Sequence, residues 1–345
     1  MLKIDGSYGE GGGQILRTAL AASALLQKPF EITNIRAGRK KPGLEAQHLT
    51  GVRAVQEITD AKVEGDTLHS QYLKFEPTAL KSGNFEFDVM KVRASAGSTG
   101  MIFQAVAPAL GFAKGTSHLI LKGGTHVAWS PPFHYLSEVF LPTIARMGFS
   151  TSLSIERWGW YPIGQGIVRV VINPVKELKS VDLSERGELI KISGISAVSR
   201  LPIEIAERQR NQGLKRLKEL GLQAEIETVD APSLGTGTFF FIVAEFENAL
   251  AGFSSLGERG KRAEKVADEA IDEFIKYYNS GAAIEKRLAD QLILYMALAK
   301  GKSTVTTSEI SNHLLTNIWV VEKFLPVKFE IKGKLGEKGE VSVET

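Results

Sequence analysis

Cysteine is absent from the 345 residues. That excludes disulfides, thiolate zinc, iron–sulfur ligation and a cysteine nucleophile together, and makes a reducing cytosol the simplest compartment. No run approaches the ~20 apolar residues that span a bilayer; the longest candidate is the short segment from Ala19 to Leu26. The N-terminus, Met-Leu-Lys-Ile-Asp-Gly, lacks the basic-then-apolar order of a signal peptide, so a cytoplasmic chain opening on a strand is expected. An excess of one charge sign is missing too. Lys and Arg number 42 against 39 Asp and Glu, a net +3, too little for a general nucleic-acid coat, so any anion site must be local. The six histidines, His48, His69, His118, His126, His134 and His313, form no His-Glu-x-x-His pattern, and no Gly-x-Ser-x-Gly elbow occurs. Zinc-hydrolase and serine-triad chemistry are therefore unsupported.

What is present is a globular composition, 43% hydrophobic and 23% charged, long enough for about two domains at roughly 150 residues each. Glycine is abundant, 34 residues dispersed along the chain, as many turns and close backbone approaches require. Two stretches match element for element at an offset of about 85 residues. In the first, Gly11-Gly-Gly-Gln14 opens a helix from Ile15 to Leu26, followed by a strand over Pro29 to Ile35, the basic loop Arg36 to Gly43 and a helix from Leu44 to Ile58. In the second, Ser95-Ala-Gly-Ser-Thr-Gly100 opens a helix over Met101 to Leu110, then a strand from Ser117 to Lys122, a Gly/Pro loop from Gly123 to Pro132 and a helix reaching Met147. A third copy is expected in Ala282 to Lys300, Lys302 to Thr306, Ser308 to Leu325 and a hairpin over Val327 to Glu344.

The expected fold is thus α/β (α+β): repeated βαβα units, each closed by a pair of strands, forming one large pseudo-symmetric domain (1–180 and 277–345), plus a smaller inserted α/β domain (181–276). In that insert, Phe239 to Phe246 reads as a buried strand and Glu258 to Tyr278 as an amphipathic helix.

Three clusters carry possible chemistry. At Gly9-Glu10-Gly-Gly-Gly-Gln14 a strand feeds a helix, whose free N–H groups suit phosphate; a turn that only allows close packing is the alternative. Arg17 lies three residues from Gln14 on one helix face, where a cation near the N-terminus opposes the helix dipole and favours an anion role. Glu10 reads as a helix-end charge or a Mg²⁺ ligand. The loop Arg36, Arg39, Lys40, Lys41 is either a solvated basic loop or a phosphate clamp, with Gln47 and His48 on the helix that follows. In Asn312-His-Leu-Leu-Thr-Asn317, helical spacing puts His313, Thr316 and Asn317 on one face, with no carboxylate near in sequence. Asp290-Gln291 reads as the beginning of an otherwise apolar helix, with Asp290 a cap or a ligand-facing group.

Together, Asp5-Gly-Ser-Tyr-Gly-Glu-Gly-Gly-Gly-Gln-Ile-Leu-Arg17 and Ile35-Arg-Ala-Gly-Arg-Lys-Lys-Pro-Gly-Leu-Glu-Ala-Gln-His-Leu49 resemble the RNA 3′-terminal phosphate cyclase family. The resemblance continues in Gly97-Ser-Thr-Gly100 with Gln104, Gly123-Gly-Thr-His126 with Pro131, Leu288-Ala-Asp-Gln-Leu292 and His313-Leu-Leu-Thr-Asn317, and so spans nearly the whole chain. It implies repeated βαβαββ units with a smaller inserted domain. The implied reaction takes an RNA 3′-phosphate and ATP to a 2′,3′-cyclic phosphate, AMP and pyrophosphate through AMP bound covalently to histidine, a position held here by His313. By the same resemblance Gln104, Pro131, Arg287, Leu288, Ala289, Asp290 and Gln291 would bind ATP, and Glu10 would hold Mg²⁺ or Mn²⁺. Gln14, Arg17, Arg36, Arg39, Gln47 and His48 would handle phosphates of ATP or RNA. Arg287 departs from members that carry an aromatic ring there. The implied partners are ATP and RNA ending in a 3′-phosphate, with no membrane and a homodimer as the oligomeric option. Two rival classes are ribosome-assembly relatives, which lack the histidine, and enolpyruvyl transferases, in which the inserted domain is not expected.

Overall fold

The computed structural model describes residues 1–345. The chain begins with β1 (Leu2–Asp5), α1 (Gly13–Leu26), β2 (Phe30–Thr33), α2 (Ala46–Thr59), β3 (Lys62–Glu64) and β4 (Leu73–Glu76). These strands form a sheet of order β1-β2-β4-β3, in which β1 and β2 are parallel and the other pairs antiparallel. Next come β5 (Asn84–Asp88), α3 (Thr99–Gly111), β6 (Ser117–Gly123), α4 (Phe133–Tyr135), a π-helical turn over Leu136–Phe140, α5 (Leu141–Arg146), β7 (Thr151–Arg157) and β8 (Gly166–Ile172). Their sheet, β5-β6-β8-β7, repeats the same pattern of one parallel and two antiparallel pairs.

After β9 (Leu178–Lys179) and β10 (Asp182–Leu183) the chain builds β11 (Leu189–Ser199), α6 (Ile203–Glu219), β12 (Glu225–Asp230), β13 (Gly237–Phe246), β14 (Leu250–Leu256) and α7 (Ala263–Ser280). The strands β11 to β14 form a sheet of their own, β12-β11-β13-β14. The last elements are α8 (Lys286–Met296), β15 (Ala299–Lys300), β16 (Lys302–Thr307), α9 (Asn312–Phe324), β17 (Glu330–Lys332) and β18 (Gly339–Glu344). Here β16 pairs in parallel with β10, far back in the chain, and antiparallel with β18, giving β10-β16-β18-β17. A mixed α/β architecture follows, in which three sheets share one order and residues 184–285 lie between the first strand and the first helix of the third.

Two limits differ from the sequence expectation of 181 and 276. Asp182–Leu183 pair with Thr304–Val305, outside the β11–β14 sheet. At the other end the apolar stripe of α7, Val266, Ala270, Ile271, Phe274 and Tyr277, carries the helix past 276 to Ser280, where Gly281 in the left-handed region (φ +63) ends it. The strand β13 shows why the smaller sheet is held fast. Phe239 and Phe241 face the main core while Phe240, Ile242 and Ala244 face a second core with Phe253, Ile271 and Phe274. The period of two thus makes both faces of one strand apolar and welds the two cores together. No helix is long and apolar enough to cross a membrane.

Helices α1, α3, α8 and α9 meet around the candidate site. Their shared faces bury Ile15, Leu16, Ala19, Phe103, Leu292, Leu314 and Ile318 in the main core, and polar positions of all four, Arg17, Gln104, Asp290 and Asn317, share one cleft.

Candidate active site

The Gly-rich turn becomes a helix at Gly13, two residues before the expected Ile15, because Gly12 takes the extended N-cap position. Arg17 therefore sits just beyond the first turn, where the helix dipole opposes it less than expected. No side chain caps α1, so its leading N–H groups stay free for a ligand; by contrast Ser98 caps α3 and Ser311 caps α9. Glycine at 12 and 13 lets two side chains close on the turn. A Cβ on Gly12 would come within 2.7 Å of Arg39 Nη2, and one on Gly13 would overlap the His48 ring. The turn is pinned to α9 by Tyr8, stacked on Trp319 at 4.0 Å between ring centres.

His313, in the first turn of α9, is the hub. Its Nε2 lies against Glu10 Oε2, and its Nδ1 is 3.8 Å from Asp290 Oδ2. Its backbone carbonyl accepts from Gln14 Nε2 at 2.6 Å. Sequence reading found no carboxylate partner for this imidazole; the fold supplies two, one from the N-terminal turn and one from α8. Burial, helped by Arg17 and Arg39, holds the His313 pKa below the ordinary value against the pull of Asp290, which favours the neutral ring. Burial also pushes Asp290 up to about 7, opposed by His313.

Around this hub the remaining expected residues divide. Arg17 lines a cleft with Thr18, Gln104, Asp290, Gln291 and Asn317, floored in part by Phe140 and Leu294. Across it Gln104 Nε2 donates to Gln291 Oε1 at 2.7 Å, Thr18 donates to Asn317 Oδ1 at 2.7 Å, and Asn317 Nδ2 donates to the Asp290 carbonyl at 2.7 Å. Thr18 and Asn317 thereby couple α1, α8 and α9. Thr18 was missed because a threonine inside an apolar helix carries no signal of its own. Arg39 pairs with the other oxygen of Glu10. Arg36, at φ +55, donates to the Gly43 carbonyl at 2.7 Å and so closes the basic loop. His48 Nδ1 accepts from the Glu45 N–H at 3.3 Å within a capping box. Burial first, then Arg36, Arg17 and Arg39, press its pKa to about 3; the neutral ring keeps its proton on Nε2, facing Gly13. Gln47 Oε1 accepts from Ser98 N at 3.2 Å and ties this corner to α3.

One expectation needs correction, and four residues expected to bind ATP lie off the cleft. Asp290 does not begin its helix: α8 opens at Lys286, and Glu285 caps it by accepting from the Arg287 and Leu288 N–H groups. Arg287 is committed to a two-pronged ion pair with Glu273 of α7, at 2.6 and 2.8 Å, and does not line the cleft. Leu288 and Ala289 are fully buried in the main core, because two positions in that turn must face inward. Pro131 stands away from the cleft, its carbonyl 2.8 Å from where a Cβ on Gly100 would lie.

The electrostatic balance is uneven. Arg17, Arg36, Lys40 and Lys41 have no carboxylate within ion-pair distance, whereas Arg39 is paired with Glu10. Several buried polar atoms here also lack hydrogen bonds: Glu10 Oε2, Gln14 Oε1 and Thr316 Oγ1. Unmet cations beside unmet acceptors and an uncapped helix end are what an anionic ligand with bound cation would complete.

A family profile described as RNA 3′-terminal phosphate cyclase matches residues 8–331. Proteins of that name are similar along nearly their whole length. The one from Pyrobaculum aerophilum is 45% identical over 97% of this chain and 96% of its own. That from Methylococcus capsulatus is 43% identical over 96% and 93%, and that from Pyrococcus furiosus 43% over 99% and 98%. Among solved structures, the enolpyruvyl transferase NikO from Streptomyces tendae aligns with 99% of this chain and 65% of its own, at 10% identity and a TM-score of 0.28, too slight a likeness to carry an argument.

Proposed function

This chain belongs to the RNA 3′-terminal phosphate cyclase family, and from that premise we propose that it uses ATP to convert an RNA 3′-phosphate to a 2′,3′-cyclic phosphate through a covalent AMP adduct on His313. The observation that carries the reading is the setting of His313: a half-exposed imidazole between Glu10 and Asp290, under the influence of Arg39, which pairs with Glu10, and of Arg17, which has no ion-pair partner.

Each step uses a group in that setting. Nε2 meets Glu10 and Nδ1 lies 3.8 Å from Asp290, so attack through Nε2 requires Glu10 to turn to the cation it would hold and the ring proton to sit on Nδ1, toward Asp290. His313 Nε2 bonds to the α-phosphorus of ATP as the bond to pyrophosphate breaks, and the leaving charge is met by Arg17, Arg39 and the free N–H groups of α1. An oxygen of the RNA 3′-phosphate then bonds to the AMP phosphorus and releases neutral imidazole. Finally the neighbouring 2′-OH bonds to the 3′-phosphorus as the bridging bond to AMP breaks, and its proton passes to the departing AMP phosphate. That last step needs little beyond positioning, since nucleophile and electrophile are tethered.

Glu10 fits a divalent cation. Its Oε2 is buried, lacks a hydrogen bond and faces Nε2 of a neutral ring, and Mg²⁺ is commonly held by one or two carboxylates with substrate phosphates. Glu10 would hold Mg²⁺ or Mn²⁺ together with phosphate oxygens, and the ion would neutralise charge there.

Incubation with α-labelled ATP tests the proposal: label should stay on the protein through alkali and be released by acid, and RNA 3′-phosphate should become cyclic. Protein that takes no label and leaves the RNA end unchanged would refute it. Arg17→Ala should slow AMP capture by about 10- to 100-fold, the scale of a charge-assisted hydrogen bond of ~1.5–3 kcal/mol. Single-turnover rates beside a thermal unfolding curve check this; a wild-type rate returns Arg17 to a structural role.

A further inference from the structure

Loops at the N-terminus of α3 expose large rings that the chemistry above does not use. Trp129 is 95% exposed and Tyr161 77%. Trp129 also lies at φ +63, a left-handed conformation that a bulky side chain keeps only when its surroundings enforce it. They do. Val127 O accepts from Ser130 Oγ at 3.0 Å and Thr125 O from Phe133 N at 3.0 Å, which fixes the turn that pushes Trp129 outward. Beneath it the buried His126 ring stacks on Trp158 at 3.9 Å and bonds to Thr125 and His134.

His126 pairs in parallel with Trp160, so the two segments leave the core in the same direction, one toward Trp129 and the other toward Tyr161. Both loops border the turn that opens α3: Gly164 packs on Ala96, and the Pro131 carbonyl faces Gly100. In the same turn Ser98 is held by Gln47, next in sequence to His48 and one helix start from the basic loop. Exposed rings on loops that pack on the α3 turn, which Gln47 ties to the helix following the basic loop, match single-stranded nucleic acid, with bases on the ring faces and phosphates on the cations of that loop.

We propose that Trp129 and Tyr161 form a stacking platform for the bases just 5′ of the reacting RNA end, with Arg36, Lys40 and Lys41 taking the intervening phosphates. This rests on the cyclase reading and adds where the strand runs. Of the four tryptophans, Trp158 and Trp160 are buried and Trp319 is stacked on Tyr8, so an unreactive RNA oligonucleotide with a 3′-hydroxyl should quench chiefly Trp129 fluorescence.

The test compares wild type, Trp129→Ala, Tyr161→Ala, the double variant and Trp129→Phe, with AMP capture from ATP as the control for folding. The double variant should raise the KM for a 3′-phosphorylated oligonucleotide by about tenfold or more, Trp129→Phe should recover most of that loss, and the quench should vanish in Trp129→Ala. An unchanged KM for RNA in the double variant overturns the platform. So does a rise confined to the KM for ATP, which would assign the rings to the nucleotide. If wild type never cyclises RNA yet shows a quench that Trp129→Ala removes, the platform stands and the cyclase reading falls.

Discussion

Replacing His313 by alanine is expected to abolish AMP labelling completely while the chain stays folded. The side chain is exposed at the start of α9, and that helix is held by Leu314, Ile318, Val320 and Val321, all buried. Stability should therefore change by no more than about 1 kcal/mol, the worth of a half-exposed ion pair. No neighbour can take over. The only other imidazole at the site, His48, spends its free lone pair on the Glu45 N–H and turns a protonated nitrogen toward Gly13. Labelling and thermal unfolding measured on one preparation decide the matter, and a folded variant that still captures AMP would remove His313 from the nucleophile's role.

The second large effect lies in the substrate. A strand ending in a 3′-phosphate on a 2′-deoxynucleotide should accept AMP and stop there as the adenylylated end, whereas the matched ribose-ended strand proceeds to the cyclic phosphate. Activation involves only the phosphate oxygen, and ring closure requires the 2′-OH of the same nucleotide, the group that distinguishes RNA from DNA. Gel separation of the two products is sufficient. Failure of the ribose-ended strand to cyclise, or of both strands to take AMP, contradicts the proposed sequence of steps.

Much of this was legible in the sequence because it is written in local periodicity. The apolar spacing of Ile15 to Leu26 and of Ser308 to Leu325, and the alternation in Lys302 to Thr306, matched α1, α9 and β16 within a few residues. The clusters around Glu10, Arg36 and His313 were likewise visible as patterns. Their convergence was not, since Gln14 and His313 are 299 residues apart and meet only through packing of α1 on α9. The pairing of Arg287 was hidden for the converse reason: its partner Glu273 lies on α7, and nothing local announces that a guanidinium will meet a neighbouring helix. Leu288 and Ala289 came with the motif but serve the core. A short motif on a helix mixes ligand-facing and core-facing positions, and only the helix's rotation separates them.

The pairing of Asp182 with Thr304 bears on how the protein is made. A ribosome releases the Gly-rich turn and basic loop within the first fifty or so residues, but the third sheet cannot close until more than a hundred further residues separating its first two strands have emerged. Pairings so distant in sequence form late and slowly. The helix bearing His313 comes later still, and it brings Asn317, the link to α8 and α1. A chain released before Asn312 therefore lacks α9 and with it His313 and Asn317. Translation itself orders the assembly, the Gly-rich turn and basic loop existing long before the helix they must meet.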